Sequence, residues 1–579
     1  MAWRSRPPDL RAHDHRPLAG ALGPAGTAGR PVAFVYVDAP EEEGGGASWA
    51  PGGASRAWLQ AALRATDADF RRRWGAGAGI ICRRGPAAGA ELVRVAKALG
   101  AEAVHYGRLY EPALEAQERR VERALAESGI GATSYAGFLL HEPRQIRVDM
   151  RKWVGHFGTL TPFVRACKGL TPSLFTDPLP APQRVPTLDP TSMPPVSGSA
   201  AASDFELVAL PGNAAGREPT GQRLGAAEPD WPAKLLSHWP GGAGEAAALE
   251  QLETFVQTKF ARYEGGRQFA DGRAVSRLSP HLHFGTLSPN LMMKKMAQKG
   301  GINVSKTAWR RLVWRDLAYW QLHHWPDICE QPIRTHYSRQ SWSSDEEALQ
   351  RWKEGRTGWP LVDAGMRELW ATGWMQQSIR MVAANFLVEY LNISWVEGAK
   401  WFHEVSTCGL RGGGGGLSVK KKCLVDADLA INGMMWQNAG KSGLDQWNFT
   451  MNPTSKAQDP DGKYTRRWIP EVAGLPNKFV HAPWEASAEQ LLDADVVLGL
   501  SYPHRIPSTV DVGAARDKNR LTILQARKAG ANWSDAGGYD QIVVPKGAST
   551  VHDGMKMRVF TVPKYDTCRL GGGEKNCRD

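Results

Sequence analysis

GRTGWPLVDAGMRELWATGWMQQSIRMVAANFLVEYLNISW, residues 355–395, decides the architecture of the larger part of this chain. Its apolar residues recur at three- and four-residue intervals, the spacing of a helix face. The pattern predicts a long helix over 361–392 with Asp363 as its N-cap. Met381 and Trp395 stand fourteen residues apart. That is about 3.9 turns at 3.6 residues per turn, so on one helix they share a face. Arg380 is permanently charged inside this apolar pattern and needs an acidic partner, as part of a site or as a buried structural ion pair.

The same periodicity recurs outward from this stretch, at 245–265, 288–299, 305–324, 345–354 and 426–438, and strand signals nearly vanish. The chain start reads differently. VAFVYVDAP (32–40) and GIICRRG (79–85) are strand-like, while SRAWLQAALRATDADFRRRW (55–74) and AAGAELVRVAKALG (87–100) are helical. Such alternation predicts a parallel sheet covered by helices. No GxGxxG follows a strand, so the dinucleotide fingerprint is absent. The expected fold class is α/β. A Rossmann-like parallel-sheet domain spans 1–150, a connector 151–244, an all-helical domain 245–505 and a C-terminal extension 506–579. The connector is rich in Pro, Gly, Ala and Ser from about 171 to 240, which predicts a long, poorly ordered link. CGLRGGGGGLSVKKKC (408–423) interrupts two helical patterns and reads as a flexible excursion or a misplaced exon boundary. The tail carries weak strand signals in YDQIVVPKG and MKMRVFTVPKYD.

The 579 residues exceed one ordinary core, and 42% hydrophobic with 22% charged residues describes a globular chain. No apolar run is long enough to span a membrane, so no membrane partner is expected. Seven cysteines without a CxxC pair argue against a zinc site and a disulfide framework, and no metal is expected. The N-terminus lacks the apolar core of a secretory signal; an intracellular address follows, with nucleus, cytoplasm and chloroplast all open. A net charge of +12 fits either nucleic-acid binding or a diffusely basic surface. The 23 tryptophans serve packing, stacking or electron transfer.

Two further segments bring chemistry. In AVSRLSPHLHFGTLSPN (274–290), Ser276 and Ser279 precede a helical run with Pro280 in its first turn. Hydroxyls and free N–H groups at a helix start form an anion site or an ordinary cap. In LVDADLAINGMMWQNAGKSGLDQW (424–447), Asp428, Asn432 and Trp436 fall at i, i+4, i+8 and form one stripe. Asp426 and Asp428 border apolar residues and need partners: a donor-rich ring with Arg380, or a metal ion, although no third oxygen ligand lies at a helpful spacing.

These segments, with TGWPLVDAGMRELWATGW (357–374), WRRLVWRDLAYW (309–320), SRLSP (276–280) and YTRRWIPEVAGLPNKFVHAPWEA (464–486), resemble the cryptochrome/photolyase family, in order, over about 245–505. WRSRPPDLRAHDHRPL (3–18) resembles the family's opening motif, with the first β-strand missing ahead of it. GMMWQNAGKSGLDQWNF (433–449) is most similar to plant cryptochromes and algal plant-like cryptochromes. The resemblance implies a U-shaped FAD in the helical domain and an antenna pigment, of folate or deazaflavin type, in the α/β domain. It implies that Tyr263, Ser276, Leu278 and Ser279 hold the FAD phosphates, in a loop with Arg277 and with Val275 where many members have Thr. Arg315 and Gln377 would line the flavin site. Arg380 would pair with Asp426 beside the isoalloxazine. Asp428 would meet the flavin or ribose edge, and Asn432 would face N5, where plant cryptochromes have a proton-giving Asp. Trp436, Trp395 and Trp342 match the family's electron relay. The lesion pocket of dimer photolyases is altered: Arg311 replaces an acid, Gln377 and Ser378 an Asn-Arg pair, and Asn438 a stacking Trp, while Trp314 and Met381 persist. The implied function is a blue-light photoreceptor, with DNA or a signalling protein docked on the C-terminal extension as partner. The rivals are a light-driven deoxyribodipyrimidine photolyase and a nucleic-acid-binding flavoprotein without light function.

Overall fold

β-Branched and aromatic residues favour extended backbone, and a parallel strand buried on both faces can be apolar throughout. Phe34–Asp38 is such a strand, with all five residues buried. The computed structural model describes residues 2–4, 9–23, 29–42, 49–151, 155–189, 198–207, 231–403, 424–444, 451–506, 512–535 and 539–559. The glycine-rich insert 408–423, the connector over 208–230 and the end of the tail, 560–579, lie outside these residues.

Six strands form one sheet: β1 (Ala2–Arg4), β2 (Phe34–Asp38), β3 (Ile80–Arg84), β4 (Ala103–Gly107), β5 (Gly131–Tyr135) and β6 (Ala200–Ala201). Their order is β5-β4-β1-β2-β3-β6, parallel except for β6, which pairs antiparallel with β3. The opening strand expected to be missing is therefore present. Ala2–Arg4 supplies it, and pairing with both β2 and β4 satisfies so short a segment on two sides. Helices α1 (Arg16–Leu22), α2 (Gly53–Trp74), α3 (Ala88–Ala98) and α4 (Pro112–Glu127) cover the sheet. The two-residue side-chain period splits β2 between two cores. Phe34 and Tyr36 join Trp58 and Leu63 of α2. Val35 and Val37 join Leu92 and Val95 of α3 and Val121 of α4.

The remaining helices are α5 (Leu160–Leu170), α6 (Trp231–Ser237), α7 (Glu245–Thr254), α8 (Tyr263–Gly266), α9 (Ser279–His283), α10 (Pro289–Gln298), α11 (Lys306–His324), α12 (Glu346–Lys353), α13 (Pro360–Thr372), α14 (Gln377–Asn385), α15 (Trp395–His403), α16 (Leu429–Ala439), α17 (Lys463–Trp468), α18 (Ala488–Asp493) and α19 (Val512–Ala529). None of the described helices is long and apolar enough to cross a membrane.

The long helix expected over 361–392 is two helices. Gly373, at φ 67°, closes α13, and the Gln376 side chain caps α14 by accepting from Ser378 and Ile379. Asp363 is not the N-cap, a position Trp359 occupies; it sits one turn inside α13 and accepts from the N–H groups of Thr357 and Gly358. α14 ends in a π-helical turn, Phe386–Tyr390, and Asn392 at φ 53° breaks the chain before α15. Met381 and Trp395 thus belong to different helices. The tail also holds more than the expected strands: α19 packs on the turns Thr335–Arg339 and Phe386–Tyr390. Beyond it, β7 (Gln541–Val543) and β8 (Lys556–Arg558) form an antiparallel hairpin.

Polar contacts bolt the sheet unit to the helices. Glu245 at the start of α7 accepts from the N–H groups of Ala12 and His13, and Arg11 donates to the Gly285 carbonyl at 2.8 Å. Asp316 of α11 accepts from the N–H groups of Leu140 and His141.

Candidate functional site

The helices enclose a cavity of about 310 Å³, a size suited to a bound ligand. One wall is the loop entering α9. Val275, Ser276, Arg277, Leu278 and Ser279 all line the cavity, with Tyr263 of α8 beside them. Arg277 takes φ 54° and lies between two indoles, its guanidinium carbon 4.5 Å from the Trp239 ring centre and 4.6 Å from that of Trp374. Its Nε is buried without a hydrogen-bond partner. Burial lowers its pKa, which Glu368 nearby partly opposes. This is a cation held by ring faces with a donor to spare.

α14 and the segment before α16 also line the cavity. Arg380 donates to the Met375 carbonyl at 2.7 Å and lies 3.7 Å from the Asp426 carboxylate. Asp426 Oδ1 is buried with no hydrogen bond, an acceptor open to a ligand donor. Asp428 caps α16 through the Ile431 N–H at 3.0 Å and accepts from the Tyr319 hydroxyl at 2.8 Å. Burial opposes its charge, but the His283 ring, Arg315 and that N–H outweigh burial and hold the carboxyl below its ordinary range. Asn432, one turn on, donates to the Ala399 carbonyl at 2.9 Å. Trp436 completes the stripe on the same wall. Arg315 is anchored by the carbonyls of Phe138 and Leu282, at 2.6 and 3.4 Å.

At the remaining side stand Arg311, Trp314, Gln377, Ser378 and Met381. The Arg311 guanidinium lies 5.2 Å from the Trp314 ring centre. Asn438, expected in this pocket, does not line it. It points toward the turn after α16, where its Oδ1 lies 2.3 Å from the place a Gly443 Cβ would take.

Trp395 and Trp342 also stand off the cavity. Trp436 and Trp395 pack reciprocally across the α15/α16 crossing. A Cβ on Gly398 would fall 2.1 Å from Trp436, and one on Gly440 2.4 Å from Trp395. Trp342 is half-buried at the edge of the same core. Sequence reasoning missed Trp352, which is fully buried with its ring 6.3 Å from Trp436. It also missed His283, which lines the cavity 3.8 Å from Asp428, and the paired indoles Trp239 and Trp374. His283 and Trp374 sit inside the quoted motifs, but neither spacing nor periodicity sets them apart from packing residues.

The donors and acceptors suit FAD. Orphaned Asp426 Oδ1 can take an N–H of the flavin ring, while Arg277, Ser276 and Ser279 can meet phosphate oxygens.

Comparison with known proteins agrees. The profile of the FAD-binding domain of DNA photolyase matches residues 308–407 and 415–524, and that of DNA photolyase matches 3–183. Deoxyribodipyrimidine photo-lyase of Agrobacterium fabrum is 32% identical over 529 residues, 90% of this chain and 97% of that protein. Cryptochrome-1 of Arabidopsis thaliana is 31% identical, covering 90% of this chain and 69% of that one. A bacterial class III photolyase from Agrobacterium tumefaciens superposes with a TM-score of 0.73 at 30% identity, over 91% of this chain and 97% of its own. With an α/β sheet unit, a helical FAD-binding domain and these relatives, the chain belongs to the photolyase/cryptochrome family.

Proposed function

We propose that the protein is an FAD-dependent blue-light photoreceptor in which Trp342, Trp395 and Trp436 pass electrons from the surface to the cavity. The observation that carries this reading is Trp436. It forms cavity wall and interlocks with the helix that begins at Trp395. Bound FAD supplies a light-absorbing ring that accepts single electrons. The chain's own residues seat and surround it. Ser276, Arg277 and Ser279 hold the phosphates, and Arg380 with Asp426 orients the ring. Asn432, a carboxamide, places a dipole rather than an acid beside it. On the side where a dimer-repair pocket needs an acid and a second stacking ring, Arg311 lies near Trp314 and Asn438 is turned away. Losing such contacts costs a few kcal/mol of lesion binding.

The alternative, light-driven repair of cyclobutane pyrimidine dimers in DNA, is supported by the photo-lyase relative matched over 97% of its length. One preparation separates the two. The purified protein is expected to be yellow and to bleach under blue light, with Trp395→Phe slowing photoreduction at least tenfold. Dimer-containing single-stranded DNA under the same light should stay unrepaired; efficient splitting would establish the enzyme instead.

An antenna pigment of folate or deazaflavin type has the α/β unit as its proposed host. At the crevice by the ends of β2 and β3, the Phe205 ring lies 5.8 Å from Tyr36, and the Leu207 N–H donates to Gln60 at 2.7 Å. A signalling partner is proposed to dock on the C-terminal extension, residues 506–579.

A further inference from the structure

His283 is the last residue of α9, and it borders two spaces. One is the cofactor cavity. The other is a crevice of about 10 Å³ shared with Asp38, Ser55 and Arg56, room for a single water. Its Nδ1 is buried without a hydrogen bond, 3.8 Å from Asp428 Oδ2. Arg315 fixes this turn from behind by donating to the Leu282 carbonyl. Among the described residues, His283 is the one histidine lining the cavity, and no cysteine or lysine lines it. Histidine is the side chain whose charge ordinarily changes near neutrality. Asn432, which also lines the cavity, has no transferable proton.

We propose that His283 is the proton port of the cavity, with Asp428 as its fixed counter-charge; the inference rests on the FAD reading above. When the bound ring gains an electron it becomes more basic. The imidazolium N–H bond breaks, its electron pair stays on the imidazole, and the proton forms a new bond at a ring nitrogen of the ligand. A proton from bulk solvent, relayed through water in the crevice, then restores the imidazolium, so the net step takes up one solvent proton and needs no oxidant or reductant of its own. The charged groups facing the imidazole are Asp428 and Arg315 on the cavity side and Asp38 and Arg56 across the crevice. Asp38 is tied to Arg56 and Arg84 at 3.3 and 2.7 Å, which leaves Asp428 as the partner of the imidazolium.

The test uses the FAD-loaded protein, with dark FAD affinity measured first by fluorescence titration. Bound FAD is then reduced chemically in the dark, and its protonation is followed in the flavin absorption bands. His283→Gln should keep FAD and slow protonation at least tenfold; added imidazole should restore the rate in His283→Gly. Protonation at the wild-type rate in FAD-bound His283→Gln overturns the proposal. A wild-type protein that takes up no FAD overturns the cofactor reading instead. In the apoprotein, the labelled histidine NMR signal lost in His283→Gln should change its chemical shift on Asp428→Asn. No change there would also overturn the pairing, without recourse to the cofactor.

Discussion

Gly398 shows how one missing side chain makes room for a packed indole. A glycine inside a helix costs about 0.5–1 kcal/mol relative to alanine. It is retained in α15 where a Cβ would fall 2.1 Å from the Trp436 indole. Gly398→Ala therefore gains helix propensity but overpacks the crossing, which typically costs 1–3 kcal/mol. The expected balance is a destabilisation of about 1–2 kcal/mol with slower photoreduction, read by thermal melting and by the rate of flavin bleaching. A more stable protein with unchanged kinetics would mean that the indole shifts freely. Glu368 makes a second prediction at this scale. Burial lifts its pKa to about 7, against the opposing Tyr464 hydroxyl at 2.7 Å and the charges of Arg277 and Arg467. The ordinary value is 4.5. Between pH 4.5 and 7 the native state keeps a proton that the unfolded chain has lost, so stability falls as pH rises. At about 1.4 kcal/mol per unit, the loss is on the order of 3 kcal/mol. Glu368→Gln keeps an acceptor for Tyr464 and should flatten the melting temperature across that range. An unaltered pH profile would show that Glu368 ionises normally.

α16 joins stability and site in one element, because its cap is also a cavity wall. Asp428 satisfies the Ile431 N–H and the Tyr319 hydroxyl together. Asp428→Ala removes a cap worth about 1 kcal/mol and leaves a buried hydroxyl unpaired for a further 1–3 kcal/mol. A loss of about 2–4 kcal/mol is expected. Asp428→Asn, an equally good cap, should recover most of it while still weakening FAD binding. If both variants bind FAD as tightly as the parent, Asp428 serves only the helix. The i, i+4, i+8 stripe of this helix was legible from sequence, because periodicity fixes which side chains share a face. The breaks within 361–392 were not. Gly373 and the π-helical turn Phe386–Tyr390 interrupt the helix without interrupting the apolar spacing, so one continuous helix was expected there. His283 was hidden for a related reason: what distinguishes it is the space on either side of its ring, which no linear pattern records.

The tail clasps the body in a way that no local pattern marks: its two short strands pair with each other, while its polar partners Arg334 and Val148 lie about 200 and 400 residues away. The hairpin follows Asp540, a fully buried carboxylate bonded to Arg334 at 2.8 Å, to Arg527 at 2.9 Å and to the Tyr337 hydroxyl at 3.1 Å. Burial opposes its charge, yet His336 and the two arginines hold it far below the ordinary carboxylate range. Farther along, the Val148 N–H donates to the Ala548 carbonyl at 2.9 Å, and Ser549 Oγ donates to the Val148 carbonyl at 2.8 Å. The tail thus touches both the Val148 segment that leaves the sheet unit and the turn Thr335–Arg339 that precedes Trp342, the proposed start of the relay. Removing one member of a buried ion cluster costs about 3–5 kcal/mol, because the charges left behind have lost their water as well as their partner. Asp540→Ala should lower the melting temperature by several degrees. The native state holds this carboxyl ionised where the unfolded chain protonates it, so the stabilisation is present above the ordinary Asp pKa of 3.8 and is lost as pH falls below it. The difference between Asp540→Ala and the parent should therefore shrink in acid. A constant difference down to the acid limit would mean that Asp540 contributes packing and not charge, and the clasp would then have to be sought in the apolar contacts of Ile542, Val544 and Met557 with the Val148 segment.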